Sequence, residues 1–245
     1  MNCVLEVIVC SVEDALQAER GGATRLEIVR DLPRGGLTPS LSLVEQTLRA
    51  VQVPARVMLR EREDHEIGET EELDRLCSRA EEMARLPLDG LVLGLVHNDR
   101  VDLRSTSAIL NCAPGLRTTF HHAFEATRYP LRAISELKTL TQVDRILTHG
   151  GDGNWRERIH RLDTYQRKAH PEIHILAGGG LNLERVNSIC QLTQVREFHL
   201  GRAVRAPGNP FGKIVDAKVR EFAALLRRKS NRQLGCPQSA CRSNL

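Results

Sequence analysis

The chain has 245 residues, of which 41% are hydrophobic and only 3% aromatic, and its formal net charge is +4. No apolar run approaches the roughly 20 residues of a membrane-spanning helix, and the opening MNCVLEVIVC lacks the basic segment of a secretory leader, so a cytoplasmic protein without membrane contact is expected. The positive charges Arg227, Arg228, Lys229, Arg232 and Arg242 fall in a terminal stretch free of acids; the remainder is near neutral and poor in stacking groups, which argues against nucleic acid as a partner.

In chain order, a strand-like LEVIV (5–9) precedes a helix over 12–20 that opens at Ser11 and closes at Gly21-Gly22. RLEIV (25–29), a helix over 41–51 and ARVML (55–59) follow. A charged loop leads to a helix over 71–85 and then to GLVLGLV (90–96), read as one strand. A helix over 103–111 precedes RTTFHH (117–122), and a helix over 131–140 precedes RILT (145–148). The remaining pairs are a helix over 155–168 with EIHILA (172–177), and a helix over 183–191 with EFHL (197–200). Val215, Val219, Phe222 and Leu226 stripe a last helix. Eight short apolar strands alternating with helices at intervals of roughly 30 residues predict an α/β fold, a single (β/α)8 TIM barrel over 1–228 with a flexible tail over 229–245. A doubly wound open sheet is the alternative.

In such a barrel, reactive groups lie at the carboxyl ends of the strands. That rule selects Glu6, Glu27, Arg60, His121, Glu125, His149 and His199. Glu6 and Glu27 interrupt apolar strands, where a carboxylate is costly unless it is paired with an arginine or used. His121 and His122 are neighbours, and alternation along a strand sends only one of them, His121, into the mouth. Gly178, Gly179 and Gly180 after strand seven and Gly201 after strand eight stand where barrels hold phosphate, or else make tight turns. The five lysines all fall on helices or the tail, which disfavours Schiff-base chemistry, and HExxH, Walker and GxSxG patterns are absent. Seven scattered cysteines form no CxxC pair and read as reduced thiols.

The motifs AERGGATRLEI (18–28), GGLTPS (35–40), TFHHAFE (119–125), ILTHG (146–150), AGGG (177–180) and EFH (197–199) resemble the CutC copper-homeostasis family over about residues 3–225. The resemblance implies a cytosolic barrel, a homo-oligomer (dimer or tetramer), and a copper-handling role with copper as candidate cofactor. The cysteines linked to copper in some members correspond here to Ile8 and Val29. Cu(I) prefers thiolate and thioether ligands, so copper binding would need a rebuilt site, for which Cys10, His121 and His149 are the candidates. The family's Arg-Pro-Arg-Gly-Gly segment reads LREREDHE (59–66), its His-Arg-Ala-Phe-Asp ends here in Glu125 with His122 replacing arginine, and the serine of Leu-Thr-Ser-Gly is His149.

Two functional readings stand. One is a metal-binding homeostasis protein; Glu6, Glu27, His121 and His149 would suit Zn(II) or Cu(II) better than Cu(I). The other is an isomerase or lyase acting on a small anionic, perhaps phosphorylated metabolite held by Arg60 and the glycine turns, with Glu6 or Glu27 and His121 exchanging protons. A barrel retained for a protein contact is a third and would expose an apolar patch.

Overall fold

A computed structural model describes residues 3–234. Eight parallel strands close into a barrel: β1 (Val4–Val9), β2 (Arg25–Ile28), β3 (Ala55–Met58), β4 (Gly90–Leu93), β5 (Arg117–Phe120), β6 (Val143–Thr148), β7 (His174–Ala177) and β8 (Glu197–Leu200). Each pairs with the next in sequence, and β8 closes on β1 with Glu6 opposite His199. Closure removes the open-sheet alternative. The strands are short and apolar because helices cover one face and the barrel interior fills the other.

The helices are α1 (Val12–Gly21), α2 (Leu41–Ala50), α3 (Thr70–Ala84), α4 (Leu103–Cys112), α5 (Pro130–Leu137), α6 (Trp155–Ala169), α7 (Leu183–Leu192) and α8 (Asp216–Leu234). Ser11 caps α1 by accepting from the Asp14 amide, and Gly22 ends the helix at φ 95°, a left-handed conformation that glycine adopts freely. Asn154 and Glu157 form a reciprocal capping box on α6, and Asn182 caps α7. At Gly21, a Cβ would lie 2.4 Å from that of Val219, so α1 and α8 meet where only glycine fits.

Besides shifts of one to three residues at element ends, two features differ from the sequence expectation. GLVLGLV is not one strand: β4 stops at Leu93, and Val96–His97 pairs with Arg100–Val101 in a small hairpin turned by Asn98 and Asp99 at positive φ. The helix α8 passes the expected domain end at 228 and runs to Leu234, since nothing from 229 to 234 breaks a helix. The tail expected to be flexible otherwise falls on 235–245, outside the described residues.

The main core lies between barrel and helices, with a small second cluster of Val29, Met58 and Val92, flanked by Ile8, Cys10 and Leu32. No helix among the described residues is long and apolar enough to cross a membrane.

Candidate functional site at the barrel mouth

Strand geometry sends alternate side chains into the barrel, and near the strand starts those side chains are charged. Arg56 is fully buried and donates to Asp89 at 2.7 Å, to Thr119 at 2.9 Å, and through two nitrogens to Asp144 at 2.7 and 2.9 Å. Asp144 is the extra residue of a bulge: the β5–β6 register steps from Thr118 opposite Val143 to Thr119 opposite Arg145. Arg145 also pairs with Asp144 and donates to Glu197 at 2.6 and 3.2 Å. Arg25 joins Glu197, at 3.0 Å, to Glu6. None of these five residues of the lower barrel (Arg25, Arg56, Asp144, Arg145, Glu197) has a buried side-chain atom without a partner.

Above this layer, the carboxyl ends of the strands surround a cavity of about 640 Å³. Ile8, Leu32 and Met58 give it an apolar side; Glu27, Arg60, His65, His121, His122 and His199 give it a polar one. At the rim, Arg185 and Arg202 add positive charge. Arg158 and Arg185 both lie over the Trp155 ring, their guanidinium carbons 4.0 and 4.4 Å from its centre. Arg158 donates to the Gly179 carbonyl at 3.0 Å and Arg185 to that of Gly180 at 2.5 Å, which braces the glycine turn.

The floor is a three-residue cluster. His199 Nδ1 lies 2.7 Å from Glu6 Oε1 and 3.3 Å from Glu27 Oε2. Burial opposes ionisation of Glu6, but Arg25 and His199 together hold its carboxyl well below the usual carboxylate range. Burial pushes Glu27 up to about 7; nearby Glu6 adds to the rise while His199 opposes it. For His199, burial works against the charged form, yet Glu27 and Glu6 raise its pKa above the ordinary value. The cluster therefore sets a histidine whose charged form is favoured beside one firm carboxylate and one carboxyl whose proton is exchangeable near neutral pH.

His121 is 3% exposed, and its Nδ1 accepts the Ala123 amide at 3.1 Å. The ring proton therefore sits on Nε2, a buried donor with no protein partner. Burial first, then His65, Arg60 and His122, hold His121 neutral. Burial and the neighbouring His199 and His149 lower His122 to about 3. Gly94 makes room for this arrangement: a Cβ there would sit 2.6 Å from His121 Nδ1.

The sequence pattern of the CutC family matches residues 3–204. The chain belongs to the CutC family. This CutC-family chain is 31% identical over 237 residues to the family protein CutC of Xanthomonas campestris, an alignment covering 91% of the chain and 98% of that relative. It is also 31% identical over 210 residues to the copper homeostasis protein cutC homolog of Homo sapiens, covering 85% and 77% of the two chains. The crystal structure of CutC from Streptococcus agalactiae superposes with a TM-score of 0.74 at 27% identity, covering 81% of this chain and 98% of that one.

Within this CutC-family barrel, Glu27, Arg60, His121, His199, Gly179, Gly180 and Gly201 line the mouth. Other expectations need correction. Glu6 is the deepest member of the floor cluster, does not line the cavity, and meets the lining residue His199 through its Oε1. Glu125 braces the end of β6: its Oε1 accepts from the Thr148 hydroxyl at 2.6 Å and the His149 amide at 2.7 Å. The Gly178 amide is spent on the Thr148 carbonyl at 2.9 Å, so it cannot serve an anion. His121 and His122 do not take opposite faces; β5 ends at Phe120 and His122 begins a 3-10 turn, so strand alternation lapses between them.

The postulated metal set of Cys10, His121 and His149 is not brought together: among the described residues only Glu6, Glu27 and His199 form a group of donors spaced for an ion. Cys10 is not among the mouth-lining residues; it sits near Arg205. His149 leans on Gly151 and Glu125. Sequence reasoning missed His65, which sits in a charged loop yet stacks 5.2 Å from His121, and the rim residues Arg185 and Arg202, which carry no strand-end signal.

Proposed function

We propose that this CutC-family barrel binds a small anionic metabolite in its mouth and moves a proton on it, in the manner of an isomerase or lyase. One observation carries the reading: Glu27 Oε2, Arg60 Nε, His65 Nδ1, His121 Nε2 and His122 Nδ1 are all buried without a hydrogen-bond partner, and all belong to the wall of one cavity. An unsatisfied buried polar group costs roughly 1–3 kcal/mol. Five of them around one cavity fit a place where a ligand completes the bonding. Three guanidiniums, from Arg60, Arg185 and Arg202, face a single lining carboxyl, that of Glu27, which favours a negative ligand. Ile8 and Met58 would take its apolar body.

In this reading the neutral His121 donates from Nε2 to a ligand carbonyl or hydroxyl, and Glu27 exchanges the proton near neutral pH. The test is incubation with phosphorylated and carboxylated metabolites in deuterated water, followed by proton NMR. Deuterium incorporation at an acidic C–H, abolished by Glu27→Gln, is expected. A broad panel showing no incorporation, or incorporation that survives the substitution, would remove the proposal.

Copper handling is a second reading, supported by the name of the human relative. The mouth gives it little: imidazoles, one carboxyl and the Met58 thioether line the cavity, and no described cysteine does. Burial pushes the Cys10 thiol up, away from the thiolate that Cu(I) favours. A thiolate-based Cu(I) site does not fit these residues.

A further inference from the structure

We infer that Glu6, Glu27 and His199 form a binding site for a first-row divalent cation of the Zn(II) or Mn(II) type, at the floor of the mouth and open toward the cavity. The inference goes beyond the proposed proton transfer: with the ion bound, Glu27 is a ligand and not a proton carrier, and the site does not depend on which metabolite binds in the mouth.

The argument begins with geometry. The three residues come from β1, β2 and β8, neighbouring strands at the closure of the barrel, so rigid backbone positions each donor. Their candidate donor atoms all lie within 4.8 Å of one another, with His199 Nδ1 2.7 Å from Glu6 Oε1 and 3.3 Å from Glu27 Oε2. Donors bound to one ion at about 2.0–2.2 Å stand roughly 3 Å apart, so these separations match the edges of a coordination shell. The cluster is built into the interior: Glu6, Glu27 and His199 are 0%, 1% and 6% exposed. Glu27 Oε2 has no hydrogen-bond partner and points into the group, its nearest charge being His199 Nδ1 at 3.3 Å.

The surroundings fit a cation of this kind. Glu6 is held by Arg25, which is fixed in turn by Glu197, so one ligating carboxylate already has the hydrogen-bonded support that orients metal ligands. Once His199 has given up its Nδ1 proton and Glu27 is ionised, two carboxylates and the Arg25 guanidinium leave a net negative charge around the ion. Oxygen and imidazole donors select Zn(II) or Mn(II) over Cu(I). Glu27 and His199 face the cavity while Glu6 lies beneath, so the open coordination positions point at the space where a metabolite would bind. In binding, the ion replaces the proton between His199 Nδ1 and Glu6 and any proton on Glu27, and those protons pass to solvent.

The test is calorimetric titration of chelator-stripped full-length protein with Zn(II), Mn(II) and buffered Cu(I), with no metabolite present. One equivalent of Zn(II) or Mn(II) per chain is expected, with affinity lowered at least tenfold in Glu27→Gln and in His199→Gln and unchanged in Cys10→Ser. X-ray absorption of the Zn(II)-loaded wild-type protein gives a readout that does not depend on how the variants fold: one imidazole among nitrogen and oxygen donors is expected. Absence of stoichiometric binding, sulfur scattering, or binding that is lost only in Cys10→Ser would overturn the inference. Because no metabolite is used, such a result leaves the deuterium-exchange test standing, and failure of that test leaves the titration standing.

Discussion

Lower in the barrel, Arg25, Arg56, Asp144, Arg145 and Glu197 satisfy one another, whereas at the mouth Glu27, Arg60, His65, His121 and His122 each keep a buried polar atom unpaired. The lower residues all stand inside strands, whereas at the mouth only Glu27 does and the others follow the ends of β3 and β5. The difference lies in closure. A closed network of charges specifies how strands pack and leaves nothing to offer a ligand; an open one sacrifices stability and becomes complete only when something binds. The two layers should therefore respond to mutation in opposite ways.

The largest effect is expected below. Arg56→Ala would unpair Asp89, leave Asp144 to Arg145 alone and empty a fully buried site, and should lower stability by about 3–5 kcal/mol, read as a shift in the urea midpoint, whereas an equally large loss on removing the mouth residue Arg60 would erase the contrast. A smaller and pH-dependent effect is expected at Glu27. Its folded pKa of about 7 lies above the ordinary 4.5, so the folded state favours the protonated form and ionisation costs stability as pH rises through that interval. Glu27→Gln, which mimics the neutral acid, should exceed ion-free wild type by about 1–3 kcal/mol above pH 7 and converge with it near pH 5. Denaturant melts at pH 5 and pH 8 check the sign; an advantage confined to acid would contradict it.

The smallest effect sharpens the boundary of the site. Glu125→Ala removes the acceptor for Thr148 and His149, and should cost about 1 kcal/mol while leaving ligand affinity at the mouth unchanged. A selective loss of affinity would return Glu125 to the functional set.

The barrel was legible in sequence because strands covered on both faces are short and apolar, and each is followed by a helical stripe. Glu6, Glu27 and His199 were legible for the same reason: a charged residue inside such a strand has to be explained. The lower network was not, because Arg25, Arg56 and Glu197 stand near strand starts and resemble solvated flanks until closure packs them together. His65 was hidden in a loop of alternating charge, whose fold over the mouth depends on tertiary contacts such as the Val96 amide donating to its carbonyl at 2.8 Å. The direction of Glu125 depends on a 3-10 turn that residue type does not announce.

The central claim is that the open layer at the mouth is completed by a small anion. A thermal-shift titration of wild type and Arg60→Met against phosphorylated and carboxylated metabolites tests it most directly. At least one class of anion should raise the wild-type melting temperature in a saturable way and act at least tenfold more weakly on the variant; a whole panel that leaves wild type unmoved, or shifts both proteins equally, would contradict it.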